Sequence, residues 1–375
     1  MEQAKNTKSV HLGRPQQYPG SPLNVSPVFS STYIAGGERI YSRSSQEAVE
    51  ALEEVVGGLE EGKAVAFASG LAACSGVIDS LSFLFHRPIS VLALLGSYTG
   101  TINQFEARFR SGQILYKGVD ASSTKSFCDA IEASSGVDIV WMETPTNPLM
   151  SIYDIEAIAS STHLVGGRLC VDNTFATPIS TNPLELGADV VVHSATKYLS
   201  GHSDVLGGVV VTKDREWHGS LVTLRTLNGA ILGPMEAFLI LRGVRTLGLR
   251  IERASGNSLS LASFLAAQSQ VISVNHPFLG DESSIEIAKR QMRFGGGMFS
   301  FDLGPNPYRA ELFCESLEIA LNSTSLGGVE TQVERRARQD GKRVSEGLIR
   351  VSVGIESIDD LIGDFRRGLG RAFAF

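Results

Sequence analysis

Charge is scarce in this sequence. Only 19% of its 375 residues are Asp, Glu, Lys or Arg, against 43% hydrophobic residues, and the mean hydropathy is +0.06. A disordered chain needs the opposite balance, so a globular fold is expected, of a length suited to one large domain or two ordinary ones. Neither sign dominates. Thirty-three bases face 40 acids for a net charge of −7, with no pole of like charge, so nothing points to nucleic acid. Cysteine is sparse too: Cys74, Cys128, Cys170 and Cys314 lie far apart in apolar stretches, without CxxC or Cys/His zinc spacing. That excludes a disulfide framework and a zinc site, and no metal is expected. Four buried free thiols in a reducing cytoplasm are the reading. The first residues hold no apolar core of signal-peptide length, and no apolar run approaches the ~20 residues that span a bilayer. No membrane association is therefore expected. No G-x-G-x-x-G follows a strand, which removes the usual dinucleotide argument.

What is present is glycine, 39 residues against 13 prolines, and a regular alternation of elements. Residues 1–45 are rich in Pro, Ser, Gly and Tyr, show no sustained period and read as an extended arm. Helical spacing begins at Gln46–Glu61, with Val49, Leu52, Val55, Val56 and Leu59 on one side. A strand at 64–67, a helix from about Leu71 to Phe85, and strands at 90–95, 114–119, 138–142, 168–171, 189–193 and 208–212 follow. Short, wholly apolar strands alternating with helical stretches indicate a mostly parallel sheet covered on both faces, an α/β fold. From about Gly243 the texture changes to a smaller α+β domain: a helix at 249–268, strands at 271–274, 296–303 and 348–353, and helices at 309–321 and 358–371. The division expected is an arm at 1–50, a ligand-binding domain at 51–242 and a C-terminal domain at 243–375.

Polar residues cluster just past the strand ends, the edge where ligands bind in open α/β sheets. Lys197 follows one buried strand, between Thr196 and Tyr198 and close to Ser194; a desolvated lysine amine is a nucleophile toward carbonyls, and the two hydroxyls would suit a phosphate. A lysine in that place is otherwise a surface residue. Asp172 ends another strand and suits a protonated ring nitrogen, or else caps a turn. Ser69-Gly70-Leu71 joins strand to helix, either as a grip on phosphate by backbone N–H groups or as an ordinary turn. Tyr98 has a face to stack on a planar ring, or simply packs. Arg350 opens a strand and suits a carboxylate, or lies on the surface. Each piece is weak by itself. Together they are an amine, an acid, a phosphate cup, a stacking ring and a carboxylate anchor, which is what a pyridoxal phosphate enzyme acting on amino acids requires.

The same stretches carry a family resemblance. Tyr41-Ser-Arg43, Phe67-Ala-Ser-Gly-Leu-Ala-Ala73, Glu143-Thr-Pro-Thr-Asn-Pro148, Val171-Asp-Asn-Thr174, Ser194-Ala-Thr-Lys-Tyr198, Gly201-His-Ser-Asp204, Leu241-Arg-Gly-Val-Arg-Thr-Leu247, Ser325-Leu-Gly-Gly328 and Arg350-Val-Ser-Val-Gly354 fall in order along nearly the whole chain. They resemble the Cys/Met-metabolism pyridoxal phosphate enzymes: cystathionine γ-synthase, cystathionine γ- and β-lyases, methionine γ-lyase and the homoserine sulfhydrylases. The resemblance implies a type I aminotransferase-like fold and a homotetramer, a dimer of dimers whose active site is shared across the dimer. It implies that Lys197 holds the cofactor as a Schiff base and later shuttles protons. Asp172 would pair with the ring nitrogen, and Tyr98 would stack on the ring and assist proton transfer. Gly70, Leu71, Ser194 and Thr196 would hold the phosphate, with Tyr41 and Arg43 reaching a neighbouring subunit's phosphate. Arg350, Asn147 and Ser325 would orient the substrate carboxylate, Asn147 also lying near the cofactor.

Several positions depart from the family pattern. Arg43 is followed by Ser44-Ser-Gln-Glu-Ala48 rather than the usual Gly-Asn-Pro-Thr loop. Three positions that read the charged far end of cystathionine-like substrates are uncharged here: Ile40, Asn103 and Thr324. Gly100 stands where methionine γ-lyases have cysteine, and Leu326 where β-lyases often have tryptophan. Glu330–Arg343 replaces a His-Pro-Ala…Thr-His segment with Arg335, Arg336, Arg338, Lys342 and Arg343, read as a solvated basic face or else a contact for an acidic substrate or another subunit. The expected activity is α,γ-elimination or γ-replacement on a homoserine-derived or sulfur amino acid of non-standard kind. The alternatives are a C–S β-lyase of the same fold and a catalytically idle ligand-binding homologue.

Overall fold

In a computed structural model the protein is described over residues 3–374. The chain divides into two compact units, one of residues up to Glu143 with Asp154–Gly248, the other of Thr144–Tyr153 with residues from Leu249 onward.

The first unit opens with α1 (Lys5–His11), α2 (Glu47–Leu59), β1 (Lys63–Phe67), α3 (Gly70–Phe85), β2 (Ile89–Leu94), α4 (Thr99–Arg110), β3 (Ile114–Val119), α5 (Thr124–Glu132) and β4 (Ile139–Glu143). It continues with α6 (Ile155–Leu164), β5 (Arg168–Asp172), α7 (Thr177–Ser180), β6 (Val190–Ser194), β7 (Gly208–Thr212), α8 (Arg215–Asn228) and α9 (Pro234–Val244). Its seven strands run in the order β1-β7-β6-β5-β4-β2-β3. All neighbours are parallel except β7, which is antiparallel to both β1 and β6. The apolar strands read from sequence are thus a mostly parallel sheet, their ends moved by a residue or so. Val91, Trp141, Cys170, Val190 and Val210 lie in one buried cluster with Val77 and Leu81 of α3 and Phe105 of α4. The rings of Phe105 and Trp141 meet edge to face at 5.2 Å.

The arm differs from expectation in containing α1. Seven residues are too few to hold a helix by propensity; tertiary partners supply the rest. Lys8 pairs with Glu61 at 2.5 Å, and the Arg245 guanidinium donates to the carbonyls of Ser9, Val10 and Leu12, which a helix end leaves open.

In the second unit the elements are α10 (Leu247–Ala266, which begins in the first), β8 (Ser273–Asn275), α11 (Glu282–Gln291), β9 (Met298–Asp302), α12 (Pro307–Ser316), β10 (Leu321–Asn322), β11 (Gln332–Arg335), α13 (Ala337–Asp340), β12 (Leu348–Ser352) and α14 (Ile358–Ala372). They build a five-stranded sheet in the order β10-β11-β12-β9-β8. Leu361, Phe365, Leu369 and Ala372 line one face of α14 at helical spacing and pack with Phe301 and Phe313. The helix expected at 309–321 stops at Ser316 because Asp364 on α14 captures the following backbone. Its carboxylate accepts N–H bonds from Glu318 (2.9 Å), Ile319 and Ala320 (both 3.0 Å), and Arg367 donates to it at 2.6 Å.

Three of the four thiols, Cys74, Cys170 and Cys314, are buried; Cys128 is half-buried, and all four are unpaired. No helix among the described residues is long and apolar enough to cross a membrane.

Burial pushes the Asp364 carboxyl up, but the three N–H donors and Arg367 outweigh it and its pKa lies below the usual value. A depressed carboxylate contributes stability above its unfolded pKa of about 4 and loses it as pH falls through the folded value. Asp364→Asn would turn an amide toward the N–H groups of Ile319 and Ala320. The expected cost is about 1.5–3 kcal/mol at neutral pH, read from urea unfolding midpoints, with the gap to the native protein closing as the pH falls below about 4.

Candidate active site

The parallel strands β4, β5 and β6 deliver a polar residue at the same edge of the first unit's sheet: Glu143, Asp172 and Ser194 are each the last residue of their strand. Thr174 joins two of them. Its hydroxyl donates to Asp172 Oδ1 at 2.6 Å and accepts from the Ser194 N–H at 2.8 Å, while its own N–H gives Oδ1 a second bond at 3.0 Å. Asp172 is only 8% exposed. Burial pushes its carboxyl up, and the bonds from Thr174 and the charge of His193 pull it back only in part. Among the described residues its other oxygen, Oδ2, receives no hydrogen bond. An oxygen left without a protein donor on a mostly buried carboxylate suits a ligand that brings one.

Lys197 lies just beyond this edge, half-buried, in a tight turn. Its N–H donates to Ser194 O at 3.1 Å, and its carbonyl accepts from the Gly201 N–H at 2.8 Å. The turn before α3 comes close as well. A Cβ on Gly70 would stand 2.9 Å from Ser194 Oγ, so only glycine lets the two backbones approach. Ser69 caps α3 by accepting from the Ala72 N–H at 3.1 Å. Among the described residues the N–H groups of Gly70 and Leu71 and the Ser194 hydroxyl make no hydrogen bond. They form a cup of donors at a helix N-terminus, where an anion is favoured. Thr196, expected beside them, has its hydroxyl bonded both ways to the Gly207 backbone, at 3.3 and 3.1 Å.

Tyr98 precedes α4 and is 47% exposed; its N–H donates to Glu143 Oε2 at 2.7 Å. Its ring folds back over Gly100, where any side chain would collide with it. The cysteine found there in methionine γ-lyases is incompatible with this ring position. Tyr41 and Arg43 are not brought to the sheet edge. They lie on the arm, the Arg43 guanidinium 5.1 Å from the Tyr41 ring centre.

The second unit assembles a separate group. Arg350, 5% exposed, donates through Nη1 to Asn147 Oδ1 and through Nη2 to the Ser325 carbonyl, both at 3.1 Å. The three residues expected around a carboxylate are therefore neighbours. A partner the sequence reading missed is Glu334, whose Oε2 lies 2.7 Å from both Arg350 Nη2 and Arg336 Nη1. The reading of segment 330–343 as a solvated basic face is corrected here. Arg336 is buried and also bonds Asp340 at 2.8 Å; Arg335 pairs with Glu311 and Glu346, and Arg338 with Glu311. Glu311 of α12, Glu334 and Asp340 within the segment and Glu346 just after it neutralise these three arginines, while Arg343 is exposed as expected and the side chain of Lys342 lies outside the described residues. Arg350 and Arg336 are thus balanced by Glu334 and Asp340, and Glu334 holds the Arg350 guanidinium in one orientation.

Residues 6–370 match the model of the Cys/Met metabolism PLP-dependent enzyme family. The chain belongs to this family. Its cofactor is accordingly pyridoxal phosphate, and the groups just described fit it: a cup of donors for a phosphate, and an open acceptor oxygen on Asp172 for a ring N–H. The cystathionine gamma-synthase of Mycobacterium tuberculosis is 38% identical over 97% of this chain and 96% of that one. A cystathionine beta-lyase of Lactococcus lactis is 36% identical over 97% and 98%. Among solved structures, metB from Corynebacterium glutamicum has a TM-score of 0.91 at 35% identity, covering 98% of each chain. Cystathionine gamma synthase from Xanthomonas oryzae pv. oryzae in complex with cystathionine reaches 0.92 at 32% identity, covering both chains fully. The protein is a PLP-dependent enzyme of the Cys/Met family with the type I aminotransferase-like fold expected of it.

Thr174→Val removes both bonds made by the Thr174 hydroxyl. The Asp172 carboxyl should rise further in pKa, and losing a bond to a charged acceptor, worth about 1.5–3 kcal/mol, should weaken cofactor binding about tenfold or more, measured by titrating the cofactor-free protein with pyridoxal phosphate.

Proposed function

We propose that this enzyme performs α,γ-elimination or γ-replacement on a homoserine-derived or sulfur amino acid. The observation that carries the reading is Asp172, a buried carboxylate with one oxygen satisfied by Thr174 and the other open. Bound pyridoxal phosphate supplies an electron-withdrawing ring that stabilises negative charge at substrate carbon. Asp172 Oδ2 holds the proton on the ring nitrogen and keeps the ring cationic. Lys197 Nζ holds the cofactor, then takes the proton from the substrate Cα and returns it. Tyr98 covers the ring face and assists proton transfer. Gly70, Leu71 and Ser194 bind the phosphate, with Thr196 holding the strand return behind them. Arg350, steadied by Asn147 and Ser325, takes the substrate carboxylate.

Ile40, Asn103 and Thr324, all uncharged, support a substrate without the charged far end of cystathionine. Leu326, in place of the tryptophan frequent in β-lyases, supports γ- over β-chemistry. The second reading is a C–S β-lyase, which the similarity to the Lactococcus lactis enzyme supports.

The working form we propose is a homotetramer, with arm residues 1–50 reaching a neighbouring subunit, a cofactor-binding region at 51–242 and a C-terminal region at 243–375. Tyr18, Leu23, Phe29, Ile34, Ile40 and Tyr41 all expose large apolar side chains on the arm, which supports burial against another copy. In such an assembly Tyr41 and Arg43 contact the neighbour's phosphate. Four unpaired cysteines suit a reducing cytoplasm.

The purified protein is expected to be yellow, and borohydride should bleach it and fix the cofactor to the peptide carrying Lys197. Lys197→Ala should be colourless after treatment with free amine and dialysis; a variant that stays yellow overturns the assignment. Incubation with O-acetylhomoserine or cystathionine separates the chemistries. 2-Oxobutanoate or a new thioether, read by mass spectrometry, supports γ-chemistry, whereas pyruvate with homocysteine supports the β-lyase.

A further inference from the structure

The most buried acid of the first unit takes no part in the chemistry just described. Glu60 caps the C-terminus of α2 and is 0% exposed. A helix C-terminus repels an anion, and burial removes the water that would otherwise solvate it. Such a group persists only when hydrogen bonds compensate it. Here Glu60 Oε1 is 2.7 Å from both His193 Nε2 and Asn173 Nδ2, and Oε2 is 3.3 Å from Asn182 Nδ2. Asn182 also donates to the Leu59 carbonyl at 2.8 Å.

The places of the two residues on Oε1 give the contact its meaning. Asn173 follows Asp172, and His193 precedes Ser194. Pairing of β5 with β6 extends through this point, since the Asn173 N–H donates to Val192 O at 2.9 Å. Side chains alternate between the faces of a sheet. Asp172, Thr174 and Ser194 meet on one face through the Thr174 hydroxyl, and Asn173 and His193 meet on the opposite face through Glu60. The two strand ends are therefore fastened together from both sides.

We propose that Glu60 is a positioning residue for the cofactor, a buried clamp that sets the spacing and orientation of Asp172 and Ser194 by tying Asn173 to His193 on the far face of the sheet. The clamp rests on the reading of Asp172 and Ser194 as cofactor contacts.

Glu60→Gln tests it. A glutamine amide has one acceptor oxygen, so whichever way it turns, an NH2 faces the donor of Asn182 or those of Asn173 and His193. We expect the cofactor dissociation constant to rise about 10–100-fold, the range for residues that orient a first layer of contacts, and the visible circular dichroism of the bound cofactor to fall. His193→Gln, whose amide nitrogen reaches the place of Nε2, should keep both within about twofold of the native protein, and His193→Leu should not. Ser80→Ala, which removes the buried Trp217 Nε1 partner far from the strand ends, controls for lost stability. The clamp is overturned if folded Glu60→Gln keeps native cofactor affinity and circular dichroism, or if Ser80→Ala weakens the cofactor as much. Should Glu60→Gln fail to fold, the two His193 variants decide: equal cofactor binding by both overturns the clamp. Borohydride mapping of the native protein separates this from failure of the underlying reading, since cofactor fixed away from Lys197 would reject that reading, not the clamp.

Discussion

A carboxylate removed from water must be given donors, and the first unit is organised around meeting that demand at the ends of its parallel strands. Glu143, Asp172 and Glu60 are all buried; Glu143 and Glu60 are held by partners from other elements and Asp172 by Thr174, two residues on. Glu143 fastens the backbone at Tyr98. Thr174 fastens Asp172 to Ser194. Glu60 fastens the residues next to both. Parallel strands end at one edge, so these three contacts act on one small region. What they leave open is as specific as what they satisfy: Asp172 Oδ2, the Ser194 hydroxyl and the first N–H groups of α3.

The second unit repeats the principle with opposite sign. Arg350 is buried, and Glu334 is its counter-ion, but Glu334 is divided between Arg350 and Arg336. A buried ion pair is costly to build and more costly to break, so the arrangement suits a guanidinium that must hold one geometry. Asn147 and the Ser325 carbonyl complete its orientation. The segment that departs most from the family pattern supplies both Glu334 and Arg336.

Much of this was legible in the residues. The apolar strands, the polar residue at each strand end, the Ser-Gly turn before α3 and the ordered motifs around Lys197 identified an α/β pyridoxal phosphate enzyme before any contact was seen. Less was legible where a side chain's task depends on a remote partner. Glu60 reads as one more acid at the end of an amphipathic helix, and Thr174 as a residue inside a motif. Arg335 and Arg338 read as part of a basic surface, because Glu311, the acid on α12 that pairs with both, lies some distance away in sequence. The early end of α12 is of the same kind, since Asp364 reaches it from α14.

By itself the sequence determined the class of fold and the cofactor, because apolar periodicity and short motifs are local and the chemistry of an amine, an acid and a glycine turn travels with the residue. The tertiary structure alone decided which groups are committed and which are open. It closed the Thr196 hydroxyl on Gly207, opened Asp172 Oδ2, folded Tyr98 over Gly100, paired Arg336 inward and placed Glu60 behind the strand ends. Those outcomes follow from burial and hydrogen-bond geometry, some between close neighbours and some between residues far apart in the chain, and no pattern of residue types records them.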